Sequence, residues 1–177
     1  GEAVLRRIGE LDRLVLVALD WTRDKDPRVP LGHASLLASL RQSGAEVTPL
    51  TFSLNAPDAS LEAIFTRIAT VLAATSPADL AIGAYIWNES YLRRLLPALR
   101  AAGYRGRIIL GGPQISYQGS NLESLYPEAD VFVRGYGEQA LVELLACDNP
   151  RPIAGVHWAG EVDRNEQARV QLDDLPP

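Results

Sequence analysis

The stretch Leu110-Gly111-Gly112-Pro113-Gln114-Ile115-Ser116-Tyr117 follows a short β-branched apolar run, Ile108-Ile109. Paired glycines at the carboxyl end of such a run remove two Cβ atoms. They serve either a sharp turn that needs positive φ or the close approach of a flat ligand to backbone. Five aromatic residues, Trp21, Tyr85, Trp87, Tyr117 and Tyr136, lie in or beside the segments that end the apolar runs. Together they offer stacking surfaces to a large planar ligand; taken singly, each is equally well read as a cap on the sheet edge. Reactive side chains are scarce: His33 and His157 are the only histidines and Cys147 the only cysteine.

That scarcity excludes several chemistries. No Ser stands in a Gly-x-Ser-x-Gly elbow, and one cysteine with two histidines does not furnish a metal site from protein ligands alone. A dinucleotide fingerprint would place Gly-x-Gly-x-x-Gly after the first strand, yet that loop has no glycine before Gly32. A Walker A loop is missing too. Asp20 fits the first acidic position of a phosphorelay receiver, but the third strand ends in Ile86-Trp87, with no phosphoacceptor.

The elements that must carry these loops alternate. Apolar runs at 14–19, 47–52, 80–86, 108–110 and 131–133 read as strands buried on both faces. Helices are expected from Gly32 to about Ser43, from Leu61 through a stripe at Ile64, Phe65, Ile68, Val71 and Leu72, over Leu92–Leu99, and from Gln139 to Ala146. Ser60 is the expected N-cap of the second, and Gly44 and Gly103 end the first and third. A helical turn near Asn121–Leu125 and an edge strand at Val156–Trp158 complete the reading. The fold class is therefore α/β, a doubly wound open parallel sheet of about five strands, Rossmann-like or flavodoxin-like. Right-handed crossovers gather 20–31, 87–90, 111–118 and 134–138 on one edge, where such sheets bind ligands.

A chain of 177 residues with 47% hydrophobic and 22% charged residues reads as one globular domain. Its net charge of −5 argues against nucleic acid, and no run is long enough to span a membrane. A lone cysteine and no signal-peptide pattern point to the cytoplasmic compartment. The lack of any methionine and the Pro176-Pro177 ending predict a piece of a longer protein. The expected division is a lead-in over 1–13, the domain over 14–160 and a linker over 161–177.

Leu-Gly-Gly-Pro-Gln-Ile-Ser-Tyr (110–117), followed by Ala-Asp-Val-Phe-Val-Arg-Gly-Tyr-Gly-Glu-Gln-Ala-Leu (129–141), resembles the cobalamin-binding domain of cobalamin-dependent radical SAM enzymes. Those domains carry Leu-Gly-Gly-Pro and, later, Arg-Gly-Glu-Gly-Glu; here Tyr136 replaces the first glutamate and Glu138 keeps the second. Ile-Gly-Ala-Tyr-Ile-Trp-Asn (82–88), Pro30-Leu31-Gly32 and Leu-Asp-Asp-Leu-Pro (172–176) are similar to the family's third strand, first-helix entry and barrel linker. The likeness runs over roughly residues 14–177.

The resemblance implies that the four loops bury the lower face and nucleotide tail of cobalamin. Its expected contacts are Asp20, Trp21, Leu31, Gly32, Tyr85, Trp87, Asn88, Ser90, Gly111, Gly112, Pro113, Gln114, Tyr117, Arg134, Gly135, Tyr136, Gly137 and Glu138. Arg134 and Glu138 would anchor corrin amides or ribose hydroxyls, with Glu138 alternatively serving the amino terminus of the last helix. Ser90 and Asn88 meet the tail, or Ser90 is an N-cap. A cobalt-ligating histidine in Asp-x-His-x-x-Gly would fall near Val29, and Leu31 and Leu36 flank His33 where that motif wants Asp and Gly. His33 is thus expected to be a helix residue, His157 structural, and the lower face covered by Trp87 or Trp21, leaving cobalamin base-off.

A radical SAM centre takes three cysteines for its 4Fe–4S cluster, so the cluster and S-adenosylmethionine belong to an adjoining barrel, a partner of this domain in a methyltransferase parent. Two rival readings stay open. One is a scaffold of the same fold that no longer binds cobalamin; the other is a flavodoxin-like domain for flavin or a nucleotide.

Overall fold

The computed structural model describes residues 13–21, 31–135 and 137–164. Elements follow in the order β1 (Arg13–Asp20), α1 (Leu31–Gln42), β2 (Glu46–Ser53), α2 (Leu61–Thr75), β3 (Asp79–Gly83), α3 (Glu89–Ala101) and β4 (Ile108–Gly111). Then come α4 (Pro113–Ser116), α5 (Leu122–Leu125), β5 (Val131–Val133), α6 (Gly137–Leu145) and β6 (Val156–Trp158). The sheet order is β2-β1-β3-β4-β5-β6. All pairings are parallel except β5 with β6, so the sheet has six strands and an antiparallel edge.

The apolar runs are continuous because each strand feeds two cores. Along β1, Val15, Val17 and Leu19 face a core with Ile64, Ile68 and Leu72 of α2 and Leu92, Leu95, Leu96 and Leu99 of α3. Leu14 and Leu16 face the other core, with Leu40 of α1 and Leu141, Leu144 and Leu145 of α6. Burying both faces in this way removes the alternating pattern of a half-exposed strand.

Local signals set the helix ends. Ser60 caps α2 by accepting from Ala63 N at 3.0 Å. Gly44 ends α1 at φ +91°, where a side chain would be strained, and Ala45 N reaches back to Leu40 O at 3.1 Å. The structure differs from the sequence expectation in four places. β1 begins at Arg13, which the expected lead-in had claimed. β3 stops at Gly83 rather than Ile86, because Tyr85 N donates to Asn88 Oδ1 at 2.8 Å and draws the chain into a turn. A single turn of helix, α4, follows the glycine pair, with Pro113 at its first position. α3 starts at Glu89 with Asn88 as its capping position, so Ser90 lies inside the first turn and caps nothing.

The chain runs from β1 outward to β2, then returns past β1 to β3. The switch point between β1 and β3 opens a crevice at the carboxyl edge of the sheet.

Candidate functional site

The crevice contains a cavity of about 280 Å³ on the α1/α6 side of the sheet. A row of small residues makes room for it. Gly83 of β3 pairs in register with Gly111 of β4, and Val17 with Ile82, which sets Ala18 of β1 beside Gly83. Each of these three residues follows by two a larger one on the same face: Leu16, Ala81 and Ile109. The strands therefore lose side-chain bulk together as they reach the edge.

Gly111, the last residue of β4, and Gly112, which follows it, do different work. A Cβ on Gly112 would lie 2.8 Å from Ala84 O, and its φ is +92°. Ala84 O is also the acceptor for Gln114 N at 3.1 Å, so this close approach is part of the turn. A Cβ on Gly111 would meet nothing nearer than Val133 O at 3.6 Å. Gly112 is therefore required by the turn, whereas Gly111 is free to carry a side chain and leaves cavity space by lacking one.

Seven expected site residues line the cavity: Asp20, Tyr85, Gly111, Gly112, Gly135, Gly137 and Glu138. Glu138 Oε1 accepts from Ser35 Oγ at 3.1 Å, tying α6 to α1. Burial pushes the Asp20 carboxyl above its ordinary range, partly offset by His33. Burial lowers the His33 imidazole, partly offset by Asp20. Tyr85 is raised by burial and then by the Asp20 charge.

The other expected residues stand elsewhere. Trp87 is 42% exposed, stacks on Tyr85 with centroids 4.5 Å apart, and donates from Nε1 to Leu19 O at 3.0 Å. Trp21, Pro113 and Tyr117 are exposed at the same edge. Leu31 and Gly32 open α1, and Ser90 is exposed in α3. Gln114 is half-buried in α4. Tyr136 lies outside the described residues.

Asn88 and Arg134 are committed to the protein itself. The buried Asn88 amide donates to Leu19 O at 3.1 Å and Gly83 O at 2.9 Å, lacing β1 to β3. The Arg134 guanidinium is 1% exposed. It pairs with both carboxylate oxygens of Asp163 and donates to Gln118 O at 2.9 Å. Asp163 is 29 residues away, and no local pattern announced it. His157 is likewise engaged, 2.8 Å from Glu123 Oε1.

Sequence reasoning missed Ala18, Gly83, Leu36 and Leu141 as lining residues, and it read His33 as an ordinary helix residue. His33 lines the cavity, and its Nε2 is buried with no hydrogen-bond partner among the described residues. The drop from Leu16 to Ala18 was a visible signal for the first of these; its meaning depended on strand register.

A glycine-notched, mostly apolar cavity at the switch point of a doubly wound sheet stands where folds of this class take their ligands. The B12 binding domain family model matches residues 26–145. The chain belongs to that family, whose cofactor is cobalamin. No curated protein sequence matches the chain.

Solved structures agree in fold. OxsB, a cobalamin-dependent S-adenosylmethionine radical enzyme with aqua-cobalamin and S-adenosylmethionine bound, superposes with a TM-score of 0.70 at 18% identity, covering 91% of this chain and 23% of that one. TsrM from Kitasatospora setae, a radical S-adenosylmethionine methyltransferase with tryptophan substrate and a SAM analogue bound, gives 0.60 at 21% identity, covering 76% of this chain and 25% of that one. The methanol:cobalamin methyltransferase complex MtaBC from Methanosarcina barkeri gives 0.50 at 14% identity, covering 74% and 46%. The chain thus spans about a quarter of the length of the first two.

The cavity fits the nucleotide tail of cobalamin. Its walls are aliphatic side chains and glycine backbone, which suit a planar base, and Asp20 and His33 give it a polar corner. Among the described residues no cluster of three or more His, Cys, Asp or Glu could hold a metal ion. No helix among them is long and apolar enough to cross a membrane.

Proposed function

We propose that this chain is the cobalamin-holding module of a larger cytoplasmic radical S-adenosylmethionine enzyme, a methyltransferase, and that it takes the cofactor base-off with no histidine on cobalt. The observation that carries this reading is the cavity at the β1/β3 switch point, in a chain whose family binds cobalamin. Detached from cobalt, the nucleotide tail is free to enter such a cavity. There the backbone at Gly111, Gly112 and Gly135 and the side chains of Leu36 and Leu141 would hold it.

The corrin would rest on the exposed apolar edge formed by Trp21, Ile86, Trp87 and Tyr117. Trp87 supports the histidine-free lower face: its ring is anchored by Leu19 O and braced by Tyr85, so a flat surface is already in position. When bound, cobalamin supplies a cobalt-carried methyl group. The residues of this chain bind it, orient it and keep water from its lower face. The iron–sulfur cluster and S-adenosylmethionine would be held by an adjoining barrel.

Titration with hydroxocobalamin, followed by visible absorption, tests the reading. Saturable binding with a base-off spectrum is expected. Trp87→Ala should weaken it about five-fold, the worth of one aromatic contact. A nitrogen-ligated spectrum would refute the histidine-free lower face, and a folded chain that binds no corrinoid would favour the scaffold.

A further inference from the structure

The ladder between β1 and β3 ends at the Val17↔Ile82 pair, before it reaches Leu19. Beyond that pair a side chain joins the two strands. Asn88, 0% exposed, ends the turn between β3 and α3, and its amide donates to Leu19 O at 3.1 Å and to Gly83 O at 2.9 Å. Its Oδ1 accepts from Tyr85 N at 2.8 Å. Both amide hydrogens are thereby used, and the buried group has no donor left for a ligand.

Trp87, the preceding residue, depends on the same acceptor. Its indole Nε1 donates to Leu19 O at 3.0 Å, and its ring stacks on Tyr85 with centroids 4.5 Å apart. At 42% exposure, Trp87 takes its orientation from these contacts and not from enclosure in the core. One amide holds Gly83 O, Tyr85 N and Leu19 O, so the backbone between Gly83 and Asn88 has little freedom, and both rings project from that backbone.

Resting on the reading of Trp87 as the surface beneath the corrin, we propose that Asn88 is a positioning residue. It touches no cofactor; it fixes the turn that carries the Trp87 ring against Leu19 O, the acceptor the two side chains share. Asn88 acts on corrinoid affinity through the placement of Trp87.

Two readouts on the 177-residue chain test this. The first needs no cofactor. In a proton–nitrogen correlation spectrum the Trp87 indole N–H is identified by its loss in Trp87→Ala. Asn88→Ala should shift that signal and speed its exchange with solvent about ten-fold, as loss of a hydrogen bond does. The Trp158 indole, which donates to Arg151 O at 2.8 Å, should stay where it is. The second is a double-substitution cycle on the Kd for hydroxocobalamin. Asn88→Ala should raise it about five-fold, as Trp87→Ala does, and the double variant should also stay near five-fold, where independent effects would give about twenty-five-fold. Should Asn88→Ala not fold, Asn88→Ser leaves room for a water to meet the two carbonyls and carries both readouts.

An unmoved Trp87 signal in Asn88→Ala, or losses that multiply in the double variant, would overturn the proposal. So would an unchanged Kd in Asn88→Ala where Trp87→Ala loses affinity. Full affinity in Trp87→Ala would instead bring down the reading of Trp87 as the surface beneath the corrin, and a folded, unsubstituted chain that binds no corrinoid would bring down the cobalamin reading. In both of those cases the indole signal still decides whether Asn88 places the ring.

Discussion

At the amino-terminal edge of the sheet, two arginines are saturated by nearby acceptors. Arg107 reaches Asp79 Oδ2 at 2.7 Å, Leu144 O at 2.7 Å and Cys147 O at 2.7 Å. Arg100 reaches Asp130 Oδ2 at 2.8 Å and the carbonyls of Tyr104, Gly106 and Glu128. At the carboxyl edge the side chains shrink to glycine and alanine, aromatic rings stand in solvent, and one buried imidazole nitrogen has no hydrogen-bond partner among the described residues. The first edge is finished within the chain and the second is not.

Arg107→Ala gives the sharpest way to break that contrast. It strands Asp79, 5% exposed, without its main charge partner, and should cost about 3–5 kcal/mol in urea unfolding. Cobalamin affinity, measured where the variant is folded, should be nearly unchanged. A large affinity loss with little loss of stability would mean that the edges are not separate in function.

Next in size is the pair of glycines. Gly112→Ala forces a Cβ against Ala84 O at φ +92° and should destabilise by about 2 kcal/mol. Gly111→Ala should leave stability within about 0.5 kcal/mol and weaken cobalamin binding, because its methyl group occupies cavity space. Comparing melts with titrations for the two variants separates the turn from the cavity.

The smallest effect is electrostatic. The folded Asp20 carboxyl is raised above its ordinary value of 3.8, so folding favours its protonated form. Stability contributed by that group is present below pH 3.8 and is lost as pH rises through the folded value. Asp20→Asn should therefore be slightly more stable than the unsubstituted chain at pH 7 and indistinguishable from it at pH 3, by urea midpoints. His33 acts in the opposite sense: its lowered value makes stability rise with pH up to about its ordinary 6.5. A flat pH profile in Asp20→Asn with His33 intact would contradict this account.

Much of the fold was legible locally. Gly44 ends α1, and Ser60 with the Ile64, Ile68, Leu72 stripe specifies α2, through hydrogen bonds and packing within a few residues. The Gly111-Gly112-Pro113 signature marked the end of β4 and the turn that follows it, because the end of a buried strand leaves few options. Asn88 and Arg134 were legible as important polar residues but not as to purpose. Their partners, Leu19 O, Gly83 O and Asp163, come from other parts of the chain.

By itself the sequence determined the α/β alternation, the burial of the strands on both faces and the edge to which the loops return, since these follow from hydrophobic periodicity and crossover handedness. Only the tertiary structure decided which residues face the cavity. Ala18, Gly83 and Gly111 become neighbours through the register of three strands, and His33 comes to line the same cavity through the packing of α1 over them. Strand register is a long-range property, set by the whole core at once, and no window of the chain contains it.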